Sequence, residues 1–204
     1  MADLTTTYMG LALENPIIAG ASILTQNMDS IRKIEDAGAG ALVIASLFEE
    51  QIQLDHLKMS EDIAQYEDWH AEMSSIFPQL EHSGPDEHLM WVRRTKEAVD
   101  IPVIASLNAV EKGTWVEWAK RLADTGVDGL ELNFFALPKD FDASAADIEA
   151  AQVDALREVK KSVKIPISVK LSPYYTSPLN FIKRLDEIGV NGFVLFNRYF
   201  QPKI

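Results

Sequence analysis

The stretch LELNFFALPKD, residues 130 to 140, contains the most suggestive pair of side chains in the sequence. Glu131 and Asn133 stand two apart in an otherwise apolar run, so a β-strand would turn both to one face. An amide at the end of such a strand can hold a ligand by donating and accepting hydrogen bonds at once. Lys170, in IPISVKLS, is a cation lodged inside another apolar run. Polar residues close the other runs in the same way: Ser22, Ser46, Ser106 with Asn108, Ser172 and Asn197. After Asn133 the sequence supplies Phe134, Phe135, Ala136 and Leu137, none of which is an acid, a base or a nucleophile. His56, His70, His82 and His88 lie among carboxylates, but their spacing fits no compact metal-ligand pattern such as H-E-x-x-H. No metal site is expected from them.

The elements that carry these residues follow a steady rhythm. Six apolar runs, PIIAGAS (16–22), ALVIASL (41–47), IPVIASL (101–107), GLELNFF (129–135), IPISVKL (165–171) and GFVLFN (192–197), are rich in Val, Ile and Leu. Near-continuous runs of this kind are the pattern of parallel strands covered on both faces. Between most of them lie stretches with helical spacing: Ile31 and Ile34, then Trp115, Trp118, Ala119 and Leu122. Val153, Leu156, Val159 and Val163 repeat the pattern, as do Phe181, Leu185 and Ile188. The joints AGAGALV, TGVDGLEL and IGVNGFVL place Gly38, Gly126 and Gly189 where a left-handed residue closes a helix. A proline enters the strands at DIPVIASLN and KIPISVKLS, where its missing N–H does least harm. Alternating strands and helices with repeated joints predict βαβ units. The run after the first strand, AGASILTQNM, lacks the G-x-G-x-x-G of a dinucleotide fold. The expected fold class is therefore α/β of the (β/α)8 TIM-barrel type, with about six βα units present, in one domain over 1–204. Residues 48–90 interrupt the rhythm and are expected to form an insertion or lid after the second strand.

Composition narrows the function classes. With 204 residues, 47% hydrophobic and 25% charged, the chain is composed as a globular domain. A net charge of -12 disfavours nucleic acids and anionic membranes as partners. No cysteine is present, which removes disulfides and thiol catalysis. No apolar run approaches the roughly 20 residues of a membrane span, and the N-terminus lacks the pattern of a signal peptide. A cytoplasmic location and a small-molecule substrate are the expectation.

The elements ENPIIAGAS, AGAGALVIAS, the ELN of LELNFF, and ISVKLSPYY, in that order, resemble the dihydroorotate dehydrogenase-like flavoproteins, nearer their class 1 branch. The resemblance implies FMN at the carboxyl mouth of a barrel and an oxidoreductase acting on a CH–CH bond, as in the oxidation of dihydroorotate to orotate in pyrimidine biosynthesis. It implies that the backbone of Ala19, Gly20 and Ala21 lies against the flavin, with Ser46 near it. Asn108 and Asn133 would bind flavin or substrate, Lys170 would place a cation beside the flavin's N1–C2=O edge, and Asn197 would line the same pocket. The family's lysine after strand two is replaced by Ala45, and its Cys or Ser base falls near Ala136. The family's phosphate-binding turns belong to later βα units, so weak FMN retention is expected, with the chain a fragment or a second chain or copy completing the barrel. The competing expectation is a catalytically silent barrel piece that serves as an interaction module. A third reading makes Lys170 a Schiff-base amine in a different barrel enzyme.

Overall fold

The computed structural model describes residues 2–49, 52, 84–109, 111–135 and 141–197. It begins with an antiparallel hairpin of β1 (Thr6–Tyr8) and β2 (Leu11–Leu13), turned at Met9 and Gly10, both with positive φ. Then follow β3 (Ile18–Ala19), α1 (Met28–Asp36), β4 (Ala41–Phe48), α2 (Pro85–Ala98) and β5 (Val103–Asn108). The chain continues through α3 (Lys112–Ala123), β6 (Gly129–Phe134), α4 (Ala145–Ser162), β7 (Ile167–Leu171), α5 (Pro178–Asp186) and β8 (Gly192–Leu195). Strands β3 to β8 form one parallel sheet in sequential order, the arrangement of a (β/α)8 barrel opened along one side. The expected fold class and strand count therefore hold.

The repeated joints have a common physical basis. Gly38, Gly126 and Gly189 all have positive φ, as a left-handed helix terminus requires. Two residues after each glycine, the backbone N–H of Gly40, Asp128 and Asn191 bonds to the carbonyl of Ile17, Val103 and Ile167, at 2.8, 2.9 and 2.7 Å. In the latter two joints the side chain also bonds back. Asp128 accepts from the Val103 N–H at 2.7 Å, and Asn191 accepts from the Ile167 N–H at 3.0 Å. In the first joint a side chain has no room, because a Cβ on Gly40 would sit 2.3 Å from the Asn15 carbonyl oxygen.

Alternation along each strand sorts residues between two layers. Leu42, Ile44, Val103, Ala105, Leu107, Leu130, Leu132, Ile167, Val169 and Leu171 pack outward against the helices in the main core. Val43 and Ile104 point inward and join Met9 in a separate cluster with Tyr8, Leu11, Ile18 and Ala21. The hairpin thus fills the amino-terminal end of the sheet's inner face. Two glycines make the room for it. A Cβ on Gly192 would meet the Tyr8 ring at 3.0 Å, and one on Gly129 would meet the Met9 methyl at 3.0 Å.

The described residues add to or depart from the sequence reading in three places. The sequence reading did not foresee the hairpin, whose strands are only three residues each. The run 16–22 forms a strand only at Ile18–Ala19, and Ser22 is exposed at the start of a 3-10 turn. The 48–90 stretch lies mostly outside the described residues, including His56, His70 and His82. Its described ends belong to regular elements: Phe48 ends β4, and α2 begins at Pro85. His88 is 3% exposed on that helix rather than on a solvated face.

Candidate functional site

The inner face becomes polar toward the carboxyl ends of the strands. Ile104, Ser106 and Asn108 alternate on β5; Gly129, Glu131 and Asn133 on β6; and Ser168 and Lys170 on β7. Parallel pairing places Ser106 opposite Glu131, Glu131 opposite Ser168 and Asn133 opposite Lys170. On β4 the register slips between Ile44 and Leu47, so Ala45 and Ser46 together oppose β5 near Ser106.

A continuous polar chain crosses four strands in this layer. The Ser46 and Ser106 hydroxyls are 2.7 Å apart, and Ser106 donates to Glu131 Oε1 at 2.9 Å. Lys170 Nζ reaches the same oxygen at 3.3 Å, with side-chain exposures of 14% for Lys170 and 4% for Glu131. Buried charge is stable only when paired and hydrogen-bonded, and Glu131 has both kinds of partner.

The second feature is a cluster of amides. Asn108 Nδ2 donates to the Asn133 carbonyl at 2.7 Å and more weakly to that of Phe135 at 3.4 Å. Asn197 Nδ2 donates to Asn133 Oδ1 at 2.9 Å, and the Asn197 backbone N–H holds the Leu171 carbonyl at 2.7 Å. Asn108 Oδ1, Asn133 Nδ2 and Asn197 Oδ1 keep their hydrogen-bonding capacity among the described residues. Asn108 and Asn133 are 3% and 4% exposed, so each is a preorganised group rather than a surface amide.

Beneath this layer, burial pushes the Tyr8 hydroxyl's pKa up, and the Glu131 charge adds to that direction. Ser168 lies beside it and pulls the other way, although no hydrogen bond of ordinary geometry joins them. Glu49, at the end of β4, is 2% exposed and accepts the Glu111 N–H at 2.9 Å.

Named proteins are similar to nearly the whole of the chain. The dihydroorotate dehydrogenase B (NAD(+)) catalytic subunit of Methanocaldococcus jannaschii is 26% identical over 95% of this chain and 62% of its own length. That of Thermoplasma acidophilum is 27% identical over 100% of this chain and 65% of its own. A putative dihydroorotate dehydrogenase A (fumarate) of Aeropyrum pernix is 26% identical over 99% of this chain and 64% of its own. The chain is similar to dihydroorotate dehydrogenases. It spans just under two thirds of the length of these relatives. No family model matches it. Solved structures support the fold alone: a 2-naphthoyl-CoA reductase superposes with a TM-score of 0.64 at 9% identity, over 94% of this chain and 40% of that one. Phosphonopyruvate hydrolase gives 0.59 at 13% identity, over 92% and 60%.

Of the residues singled out from the sequence, Asn108, Asn133 and Asn197 come together, and Ser46 joins Lys170 through Ser106 and Glu131. Ala19 is half-buried against the main core and Ala21 beside the inner cluster, and Gly20 is exposed, with nothing within 4 Å of a Cβ placed on it. Ala45 is buried in the β4 bulge. Ala136 lies outside the described residues. Glu131 and Ser106 stood out in the sequence as polar residues of apolar runs but were not assigned a site role, and Tyr8 did not stand out at all. The period-two pairing of Glu131 with Asn133 was the available signal for Glu131. The linking role of Ser106 and the packing of Tyr8 gave none, since they depend on neighbours 25 and more residues away.

Proposed function

We propose that the chain carries the amino-terminal units of an FMN-dependent oxidoreductase of the dihydroorotate dehydrogenase type, acting on a CH–CH bond in pyrimidine metabolism. The observation that carries this reading is the union of Lys170 and the three asparagines at one end of the sheet, in a chain whose relatives are dihydroorotate dehydrogenases. The residues present suit FMN. Gly20 has open space where a side chain would stand, flanked by Ala19 and Ala21, so a flat ring can approach the backbone. Ser46, Asn108, Asn133 and Lys170 would complete the cofactor's surroundings, with Asn133 and Asn197 toward the substrate. FMN, when bound, supplies the two-electron acceptor.

The chain's own residues supply orientation and charge. Asn133 Nδ2 and Asn108 Oδ1 present one donor and one acceptor whose directions are fixed by the bonds their other ends make. Lys170 places a positive charge in a layer where water is largely excluded, and Glu131 fixes its position. Ala136 and Leu137 cannot accept a proton at the position where the resembling family carries its base. A base is worth roughly 10²–10⁴ in rate, so turnover of dihydroorotate is expected to be slow.

The test is direct. Protein titrated with FMN should perturb the flavin absorbance band without removal of free cofactor, and the band should bleach slowly when dihydroorotate is added. An unperturbed band at saturating FMN sinks the reading. The apolar residues at 136 and 137 favour a second reading, a catalytically silent barrel piece that acts as an interaction module. Flavin reduction by dihydroorotate would rule that reading out.

A further inference from the structure

We propose that Glu131 is a positioning residue that sets the electron affinity of the redox site, by holding Lys170 in place and offsetting its charge from behind. The inference rests on the redox-site reading above and adds to it a residue that lies behind the groups assigned to the cofactor.

Three observations converge on Glu131. The first is charge. Among the described residues on the inner face of β4 to β8, the single cation is Lys170 and the single anion is Glu131, in contact at 3.3 Å. The second is depth. Lys170 pairs with Asn133 and Glu131 with Ser168, so Glu131 lies one inward-facing position further from the carboxyl ends of the strands. Side-chain exposure falls from 14% at Lys170 to 4% at Glu131. The cation therefore stands at the mouth and the anion behind it. Charges in so dry a layer are poorly screened, and an electron-accepting ring in the mouth feels both of them. Two-electron reduction puts negative charge on such a ring, which Lys170 favours and Glu131 opposes.

The third observation is fixation. Glu131 Oε1 accepts from Ser106 at 2.9 Å as well as from Lys170, and the Ser106 and Ser46 hydroxyls are 2.7 Å apart. The two hydroxyls tie the carboxylate to β5 and β4, and the carboxylate ties the lysine. A lysine without that anchor turns its ammonium toward water on a flexible stem. Ser106 also draws part of the carboxylate's charge into its own O–H, so it limits how far Glu131 offsets Lys170.

The experiment measures how the protein discriminates the two oxidation states of one ligand. Oxidised FMN, and FMN reduced by dithionite without oxygen, are titrated calorimetrically into the full-length protein. The ratio of the two dissociation constants, oxidised over reduced, reports the shift in midpoint potential. Glu131→Gln should raise that ratio about tenfold, the size of one charge-dependent contact, which is an upward shift of about 30 mV for a two-electron couple. Ser106→Ala should move the ratio the opposite way, by about two- to threefold, because it leaves the carboxylate's charge unshared. A merely structural role for Glu131 weakens both forms alike and leaves the ratio unchanged, which overturns the assignment. If Glu131→Gln fails to fold, Ser106→Ala decides alone: a fall in the ratio supports the proposal, and a rise or no change overturns it. Binding of neither form by the wild type sinks the redox reading and this inference with it. Binding of both with a ratio that Glu131→Gln does not move sinks the inference alone.

Discussion

Replacing Lys170 by Met should expose how the inner polar layer is held together. At 3.3 Å, the Glu131–Lys170 attraction is about 5 kcal/mol for an effective dielectric near 20. Desolvation of both ions takes back much of that, so the pair's net worth is small while the cost of orphaning one partner is large. Lys170→Met leaves the Glu131 carboxylate, 3% exposed, with only the Ser106 hydroxyl as partner. The expected loss is about 3 kcal/mol. Glu131→Gln keeps an acceptor for Ser106 and costs about 2 kcal/mol, chiefly by leaving Lys170 without a counter-charge. The double variant has no charge left in the layer and should cost only about 1–2 kcal/mol. Urea unfolding followed by tryptophan fluorescence measures all three, with Trp115 packed edge-on against Phe134 of β6 as a local reporter. The coupling between the two sites is then about 3–4 kcal/mol. Additive single losses, with the double variant near 5 kcal/mol, would refute the claim that the two charges stabilise each other.

Four further outcomes follow from the geometry. Gly192→Ala drives a methyl to 3.0 Å from the Tyr8 ring and 3.1 Å from Met9, so it should cost about 1–3 kcal/mol in thermal unfolding and make residues 6–13 more susceptible to proteolysis. Gly129→Ala should cost less, because its closest contact, at 3.0 Å, is the mobile end of Met9. Asn27→Ala removes the side-chain oxygen that accepts from Asp29 and Ser30 at 2.9 and 3.2 Å, and should cost α1 about 1 kcal/mol in denaturant unfolding. Burial pushes the Tyr175 hydroxyl from 10.0 up to about 12, so the neutral form is favoured in the folded chain. Above pH 10 the unfolded chain loses this proton while the folded chain keeps it, so stability falls between pH 10 and about 12. Tyr175→Phe should flatten the melting temperature across that window, and an unchanged slope would refute the assignment.

Much of the architecture was legible because it repeats. The glycine at each helix end, the residue two places later and the apolar run that follows recur with the same spacing, and the structure gives each a backbone bond of the same kind. Asn108, Asn133 and Lys170 were legible because a polar side chain inside an apolar run demands a local reason. The hairpin was not, since β1 and β2 have three residues each and are too short to show a period. Nor was the role of Ser106 as a link. A serine at a strand end has no meaning until register places it opposite Glu131 and beside Ser46.

The hairpin and the polar layer are connected in a way that bears on function. Tyr8 stands over Gly192, and its buried hydroxyl lies close enough to Glu131 for that charge to push its pKa up. The same carboxylate receives Lys170 and Ser106. Glu131 thus faces an apolar floor built by the hairpin on one side and the cation of the mouth on the other. A shift of the hairpin would change the packing against that floor and the solvation of Glu131, and through it the field of Lys170. Gly192→Ala is therefore expected to be non-additive with Lys170→Met in urea unfolding, although Gly192 is not one of the polar side chains of the layer. If the two losses simply add, the hairpin is only a plug and the polar layer is independent of it.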